Sequence, residues 1–185
     1  HVIDGRSYPR VTAITGCWPK GEQFERWLAD QGSYEAAEEA RDSAGESGTR
    51  IHAAVAQLIA GQELVYGNHT VSEWRKLESF CNFWEDQKPK VIAVEKELIS
   101  DKLDTAGHCD LIADVAGKIV VIDWKSGKTL QYSHEVQVNT YAVADEETEK
   151  AKVAALWLVR LGSRHTRGYE LKVVREPRKQ LLNSW

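Results

Sequence analysis

At 185 residues, with 42% hydrophobic and 28% charged residues, the chain has the material for one globular domain spanning 1–185 and is not disordered in composition. No apolar run approaches the roughly 18 residues that a membrane span needs, and a formal net charge of -4 carries no global nucleic-acid signature. Cys17, Cys81 and Cys109 are odd in number and lack any Cys-x-x-Cys spacing, which argues against a disulfide framework, a zinc ribbon or a cysteine-ligated cluster.

The same cysteine usage predicts a reducing compartment, hence a cytoplasmic location. The absence of methionine predicts a processed or trimmed chain, so a mitochondrial location stays open if a targeting segment was removed.

In chain order, Tyr8-Pro9-Arg10-Val11-Thr12 reads as extended, followed by a short helix around residues 24–29. The acidic stretch 35–46 with Gly45 and Gly48 reads as a mobile loop leading into a helix over 49–60, ended by Gly61. On that helix His52, Val55, Ala56 and Ile59 share one side, so His52 faces inward. A histidine so placed is, by itself, more often a hydrogen-bonded core residue than a ligand. Thr70-x-x-Glu73 is a capping box for a further helix, on which Val71, Trp74, Leu77, Cys81 and Trp84 recur every three or four residues before Pro89 stops it.

Three strands are predicted next, over 91–99, 107–115 and 118–125. The first alternates Ile92, Val94, Lys96 and Leu98 against Ala93, Glu95 and Glu97, which places both glutamates on one face. The other two flank Ala116-Gly117, and a hairpin centred there sets Asp110 directly across from Asp123. Opposed side chains have Cβ atoms roughly 4.5–5.5 Å apart, and like charges at that separation repel unless a cation lies between them. Alternation puts Lys125 on the face of Asp123 and turns Trp124 to the other. Ile119 to Ile122 is continuously apolar, as in a strand buried on both faces, so charges at its end require partners.

Ser133 is the predicted cap of a helix running to about residue 147, with Gln137, Tyr141 and Ala144 on one side. Strands over 153–161 and 169–174 complete an α/β (α+β) order that suits a mixed central β-sheet flanked by helices.

Two carboxylates and a lysine on one strand face outline a metal-dependent phosphodiesterase site. Hard oxygen donors without thiolates favour Mg²⁺ or Mn²⁺ over Zn²⁺. Such a metal polarises a phosphoryl oxygen and lowers the pKa of a bound water, while Lys125 orients that water or stabilises charge developing on phosphate. Imidazole from His52 could complete an octahedral site. Glu95 and Glu97, each alone, read as solvated; Gln137 and Tyr141 read either as helix-surface groups or as an amide and a phenol aimed at a phosphate or base. His108 with Asp110 is an alternative metal pair that Cys109, on the other strand face, could not easily join. The basic residues Arg160, Arg164, Arg167, Lys172, Arg175, Arg178 and Lys179 either contact phosphates or form a solvated charged hairpin. Trp18 and Tyr34, in loop-like contexts, are the candidates for base stacking.

Taken together, Gly48-Thr49-Arg50-Ile51-His52, Gly107-His108-Cys109-Asp110, Ile122-Asp123-Trp124-Lys125 and Gln137-x-x-x-Tyr141 resemble the RecB-type branch of the PD-(D/E)XK nuclease superfamily, with its restriction-endonuclease-like core. Pro9-Arg10-Val11-Thr12 with Trp27 is similar to phage-encoded and mitochondrial genome-maintenance exonucleases. The resemblance implies a Mg²⁺- or Mn²⁺-dependent DNA exonuclease acting on single strands or ends. It assigns His52, Asp110, Asp123 and the Trp124 backbone carbonyl as metal ligands, and Asp110, Asp123, Lys125 and Glu95 as catalytic residues. Gln137, Tyr141 and Arg50 would contact DNA. The chain lacks the four cysteines of the iron-sulfur subgroup, so no such cluster is expected. A structure-specific or restriction-type endonuclease, or a catalytically idle DNA-binding subunit, would carry the same fold.

Overall fold

The computed structural model describes residues 2–3, 5–18 and 21–175. The basic positions Arg178 and Lys179 lie outside the described residues. A two-stranded ribbon, β1 (Val2–Ile3) with β2 (Arg6–Ser7), precedes the helices α1 (Val11–Gly16), α2 (Glu22–Asp30), α3 (Tyr34–Ile59) and α4 (Val71–Gln87). Then come the strands β3 (Lys90–Ser100), β4 (Thr105–Val115) and β5 (Lys118–Lys125), helix α5 (Tyr132–Glu149), and the strands β6 (Ala155–Leu161) and β7 (Tyr169–Val173). The main sheet has the order β3-β4-β5-β6-β7. It is mixed, because α5 crosses over to make β5 and β6 parallel while every other pair is antiparallel. Among the described residues no helix is long and apolar enough to cross a membrane.

The sheet is covered on both faces. One core joins Val11 of α1 and Val136, Val138, Tyr141 and Ala142 of α5 to Val121 and Leu158; the other joins Ile51 and Val55 of α3 and Leu77, Phe80 and Phe83 of α4 to Val120, Ile122 and Trp124. The Ile119–Ile122 run is therefore buried on both sides, as its continuous apolarity predicts. Trp124 turns to the α4 side and meets Phe80 and Phe83 edge to face at 5.3 and 5.4 Å.

Three local expectations are corrected. The stretch 35–48 is helix, not loop. Ser33 caps α3 by accepting from the Ala36 N–H at 3.1 Å, and Ala36, Ala37, Ala40 and Ala44 with four glutamates favour helix strongly enough to carry two glycines at about 1 kcal/mol each. A Cβ on Gly48 would lie at ordinary contact distance, 3.4 Å, from Ser126 Oγ, so α3 runs through this position without strain. Residues 8–10 are extended, with Pro9 O accepting from Ala106 N–H and Thr105 Oγ1, but Val11 and Thr12 enter α1 because Val11 is buried against the core. Finally, Gln131, not Ser133, caps α5, with its N–H donated to His134 Nδ1 at 3.1 Å.

The hairpin forms as predicted. Leu111 to Val115 pair with Ile122 to Lys118, and Ala116 and Gly117 occupy the left-handed region at φ 51° and 79°. Asp114 steadies the turn by accepting from Gly117 N–H at 2.7 Å.

β3 departs from regular alternation. Val94 packs on the α3–α4 side, yet Lys96 reaches Asp145 and Glu149 of α5, and Leu98 is buried on that same side. In a regular strand these three residues would share a face, which is what the sequence predicts. The change falls at Glu95, whose φ is 47°. Its partner strand turns at the same level, because Leu111 faces α3–α4 while Cys109 is buried on the α5 side. Both strands thus change face where Glu95 and Asp110 lie opposite each other, between the paired positions Val94–Leu111 and Lys96–Cys109.

Candidate active site

Beyond Leu111 and Ile122 the β4–β5 ladder gives way to a side chain, for Asp110 Oδ2 accepts the Trp124 N–H at 2.7 Å. This bond fixes the carboxylate against the start of the Trp124-Lys125 segment and leaves Oδ1 facing α3, 3.1 Å from His52 Nδ1. Glu95, Asp110 and Asp123 therefore stand at one level on three adjacent strands. The ligating atoms of His52, Glu95 and Asp110 all lie within 4.8 Å of one another. Asp123 is 1% exposed. Lys125 Nζ lies 2.7 Å from its Oδ2, so the ammonium charge is set directly against that buried oxygen. Lys125 also donates to Gln137 Oε1 at 3.0 Å, and Gln137 Nε2 donates to Tyr141 Oη at 2.9 Å, so the lysine is held by α5 as well as by Asp123.

The electrostatics follow from burial and crowding. Burial pushes the Asp123 carboxyl up, Lys125 opposes this, and Asp110 adds to it. Glu95 is raised by burial and then by Asp110. Burial alone would lower His52, but the charge and hydrogen bond of Asp110 outweigh it and lift the imidazole to about 9. Burial also raises the Tyr141 phenol, which keeps it a neutral hydrogen-bonding group. His134, at the start of α5, is held at about 3 by burial and then by Lys125 and Lys172, so it stays an uncharged cap.

A cavity of about 390 Å³ opens onto His52, Glu95, Asp110, Asp123, Lys125, Gln137 and Tyr141. Arg10 and Thr12 also line it. Only their place in the Pro9-Thr12 segment hinted at this; they reach the cavity because Arg10 bridges to Ala106 beside β4. Arg50 is placed elsewhere: its guanidinium clamps Glu73 Oε1, with Nε at 3.0 Å and a terminal nitrogen at 2.9 Å, and it does not line the cavity. His108 Nε2 is 3.9 Å from Glu97 across the strand pair, and the Cys109 thiol is buried in the core. Trp18 is partly buried against the α5-side core, whereas Tyr34 is 65% exposed and donates to Glu38 at 3.3 Å.

The donor set suits a hard divalent cation. One imidazole nitrogen and carboxylate oxygens converge without a thiolate, the donors that a hard divalent cation accepts.

Gly107 controls one wall. A Cβ there would sit 2.8 Å from Tyr141 Cε1 and 3.3 Å from both Tyr141 Oη and Val11 Cγ2. Because the ring is buried, Gly107→Ala must displace it, with a stability loss of about 1–3 kcal/mol. Turnover is expected to fall roughly 10-fold or more as the Tyr141–Gln137–Lys125 chain shifts. Thermal unfolding and steady-state cleavage check the two effects separately.

A buried sheet that gathers carboxylates, an imidazole and a lysine at one level has the donors to hold a divalent cation beside a fixed positive charge. The model of the PD-(D/E)XK nuclease superfamily matches residues 19–185, and the chain belongs to that superfamily. A solved structure from Eubacterium rectale, described as an exonuclease candidate, is similar at 10% sequence identity and a TM-score of 0.41, over 94% of this chain and 66% of that one. The chain thus spans just under two thirds of that protein's length. No curated protein matches the sequence.

Proposed function

We propose that the chain is a divalent-metal-dependent DNA exonuclease of the RecB type that hydrolyses phosphodiester bonds in single strands or at ends. The observation that carries this reading is the level of Glu95, Asp110 and Asp123 on three adjacent strands, with His52 and Lys125 against it. His52, Asp110, Asp123 and the Trp124 carbonyl would hold Mg²⁺ or Mn²⁺, with Glu95 close enough to join them or to position water. Such a metal supplies Lewis-acid polarisation of the phosphoryl group and a water of lowered pKa.

The chain's own groups do the rest. Lys125, steadied by Gln137, places a positive charge beside Asp123 where charge develops on the phosphate. Gln137 and Tyr141 offer an amide and a phenol to the bound strand from the cavity wall. Arg10 adds a cation on the same wall, while Glu73 holds Arg50 away from it.

An endonuclease would use the same groups, so the substrate's topology is the test. With Mg²⁺ or Mn²⁺, linear single strands should be degraded from an end while covalently closed single-stranded circles persist. Cleavage of circles at a comparable rate would replace the exonuclease reading with the endonuclease one. Absence of metal-dependent cleavage on either would leave a DNA-binding subunit.

A further inference from the structure

β5 and β6 end side by side, with Lys125 paired to Arg160, and two loops leave these ends. At the carboxyl ends of parallel strands the departing loops leave a crevice in which ligands are commonly held. Here a second cavity of about 650 Å³ is lined by Ser72, Lys76, Lys128, Arg160, Arg164 and His165, with no carboxylate on its wall. The cations differ in how they are held. Arg160 is steadied by Glu170, with Nε at 2.8 Å and a terminal nitrogen at 2.6 Å. Among the described residues, Lys76, Lys128 and Arg164 have no carboxylate within ion-pair distance.

Two further described residues of the basic segment are engaged elsewhere. Arg167 is bound to Glu85 and Asp86, and Lys172 to Glu135. Three cations without an ion pair thus share the wall of this cavity. Lys76 is also built in: its stem lies over Gly162, where φ is 74° and a Cβ would come within 2.8 Å of Lys76 Cγ. Gly162 is itself anchored by its N–H to Ser79 Oγ at 3.0 Å. A lysine seated by packing in a concave wall of cations, with Lys128 three residues along from the candidate catalytic lysine on the same wall, is suited to an anionic group on the same ligand that occupies the site.

We propose that this cavity binds a phosphate of the DNA strand other than the one being cleaved, and so fixes the strand's path across the ends of β5 and β6. The inference rests on the nuclease reading for its ligand, though its test does not depend on turnover. The phosphate is either an internal phosphodiester or a terminal monophosphate; Lys76, Lys128 and Arg164 supply the same charges to both.

The experiment measures binding of a fluorescent single-stranded oligonucleotide by anisotropy in EDTA, where cleavage cannot contribute. Lys76→Ala/Arg164→Ala is expected to weaken binding at least about 10-fold at low salt, and to reduce the slope of log affinity against log salt by about 0.7, the value for one single-strand phosphate contact. Arg164→Ala alone, in an exposed loop where folding is not at issue, should weaken binding by about 3-fold in the same assay. Lys118→Ala, at the opposite end of β5, should leave affinity unchanged.

Unlabelled competitors with a 5′-phosphate or a 5′-hydroxyl separate the two sources. Equal competition assigns an internal phosphate, and a preference for the phosphorylated strand that the double variant loses assigns the terminal one. Wild-type affinity and salt slope in the double variant would overturn the proposal even if the enzyme cleaves DNA. Conversely, lost cleavage chemistry with the expected binding defect would overturn the nuclease reading alone.

Discussion

Asp110→Asn is expected to lose roughly a thousandfold in turnover, the scale of removing one fixed electrostatic element from a hydrolytic site. Affinity for single-stranded DNA should hold or improve by a few fold. Asparagine matches aspartate in size and keeps an oxygen that can accept the Trp124 N–H, so the junction between β4 and β5 is retained. What goes is the charge that His52 contacts at 3.1 Å and that would draw a cation toward Glu95 and Asp123. With one fewer carboxylate, the cavity repels phosphate less. Single-turnover cleavage and anisotropy on the same preparation separate the two effects. A variant that folds normally and cleaves at the wild-type rate would remove Asp110 from the mechanism, and Lys125→Ala with undiminished cleavage would do the same for the lysine.

Removal of Glu73 should be the most damaging substitution away from the cavity. The residue is 1% exposed and gathers its donors at short range: Thr70 N–H at 2.8 Å, Thr70 Oγ1 at 3.1 Å, Ser47 Oγ at 2.7 Å and the Arg50 guanidinium at 2.9 and 3.0 Å. It caps α4 and at the same time ties α4 to α3, two residues before His52. Glu73→Ala takes the acceptor from the half-exposed Arg50 guanidinium and from the donors of Thr70 and Ser47, a loss of about 1–3 kcal/mol. Glu73→Gln should cost less because its carbonyl still accepts.

Burial works to raise the Glu73 carboxyl, but the hydrogen bonds from Thr70, Ser47 and Arg50 prevail and hold it at about 2, below the ordinary 4.5. A folded-state value below the unfolded one means that the stabilisation is complete above pH 4.5 and disappears as the pH falls toward 2. Urea midpoints compared between wild type and Glu73→Gln should therefore converge on acidification through that window. A difference that stays constant with pH would contradict the linkage.

Much of this architecture was legible in sequence where a single period or turn dictated it. Period-two alternation around Ala116-Gly117 placed Asp110 opposite Asp123 and separated Trp124 from Lys125, and a helical stripe turned His52 inward. The capping box at Thr70 was visible as well, but not that Glu73 would also take hold of Arg50. A capping motif reports local hydrogen bonds and says nothing of a partner on another helix.

The glycines before His52 misled for a related reason. Gly45 and Gly48 read as helix breakers one at a time, whereas the helix responds to the whole alanine- and glutamate-rich stretch behind the Ser33 cap, which outweighs them. The resemblance named Glu95, but the change of face that brings it to the cavity was out of reach, because a residue at φ 47° leaves no signature in an alternating pattern that it interrupts. The second cavity was half visible: the basic segment could be counted, but its ion pairs, which remove Arg167 and Lys172 from the tally of free cations, depend on acids brought from α4 and α5.

The left-handed turn at Glu95 also governs how this molecule meets its own copies. β3 is an outer strand of the sheet, 11 residues long, with Val91 and Ile92 exposed, the kind of edge on which a second chain can template itself. A strand that changes face midway and carries an irregularity between Val91 and Ala93 cannot offer a long, flat row of backbone donors and acceptors. The kink that delivers a carboxylate to the cavity thus also makes the outer strand a poor template for edge-to-edge pairing, so both features follow from the same backbone torsion.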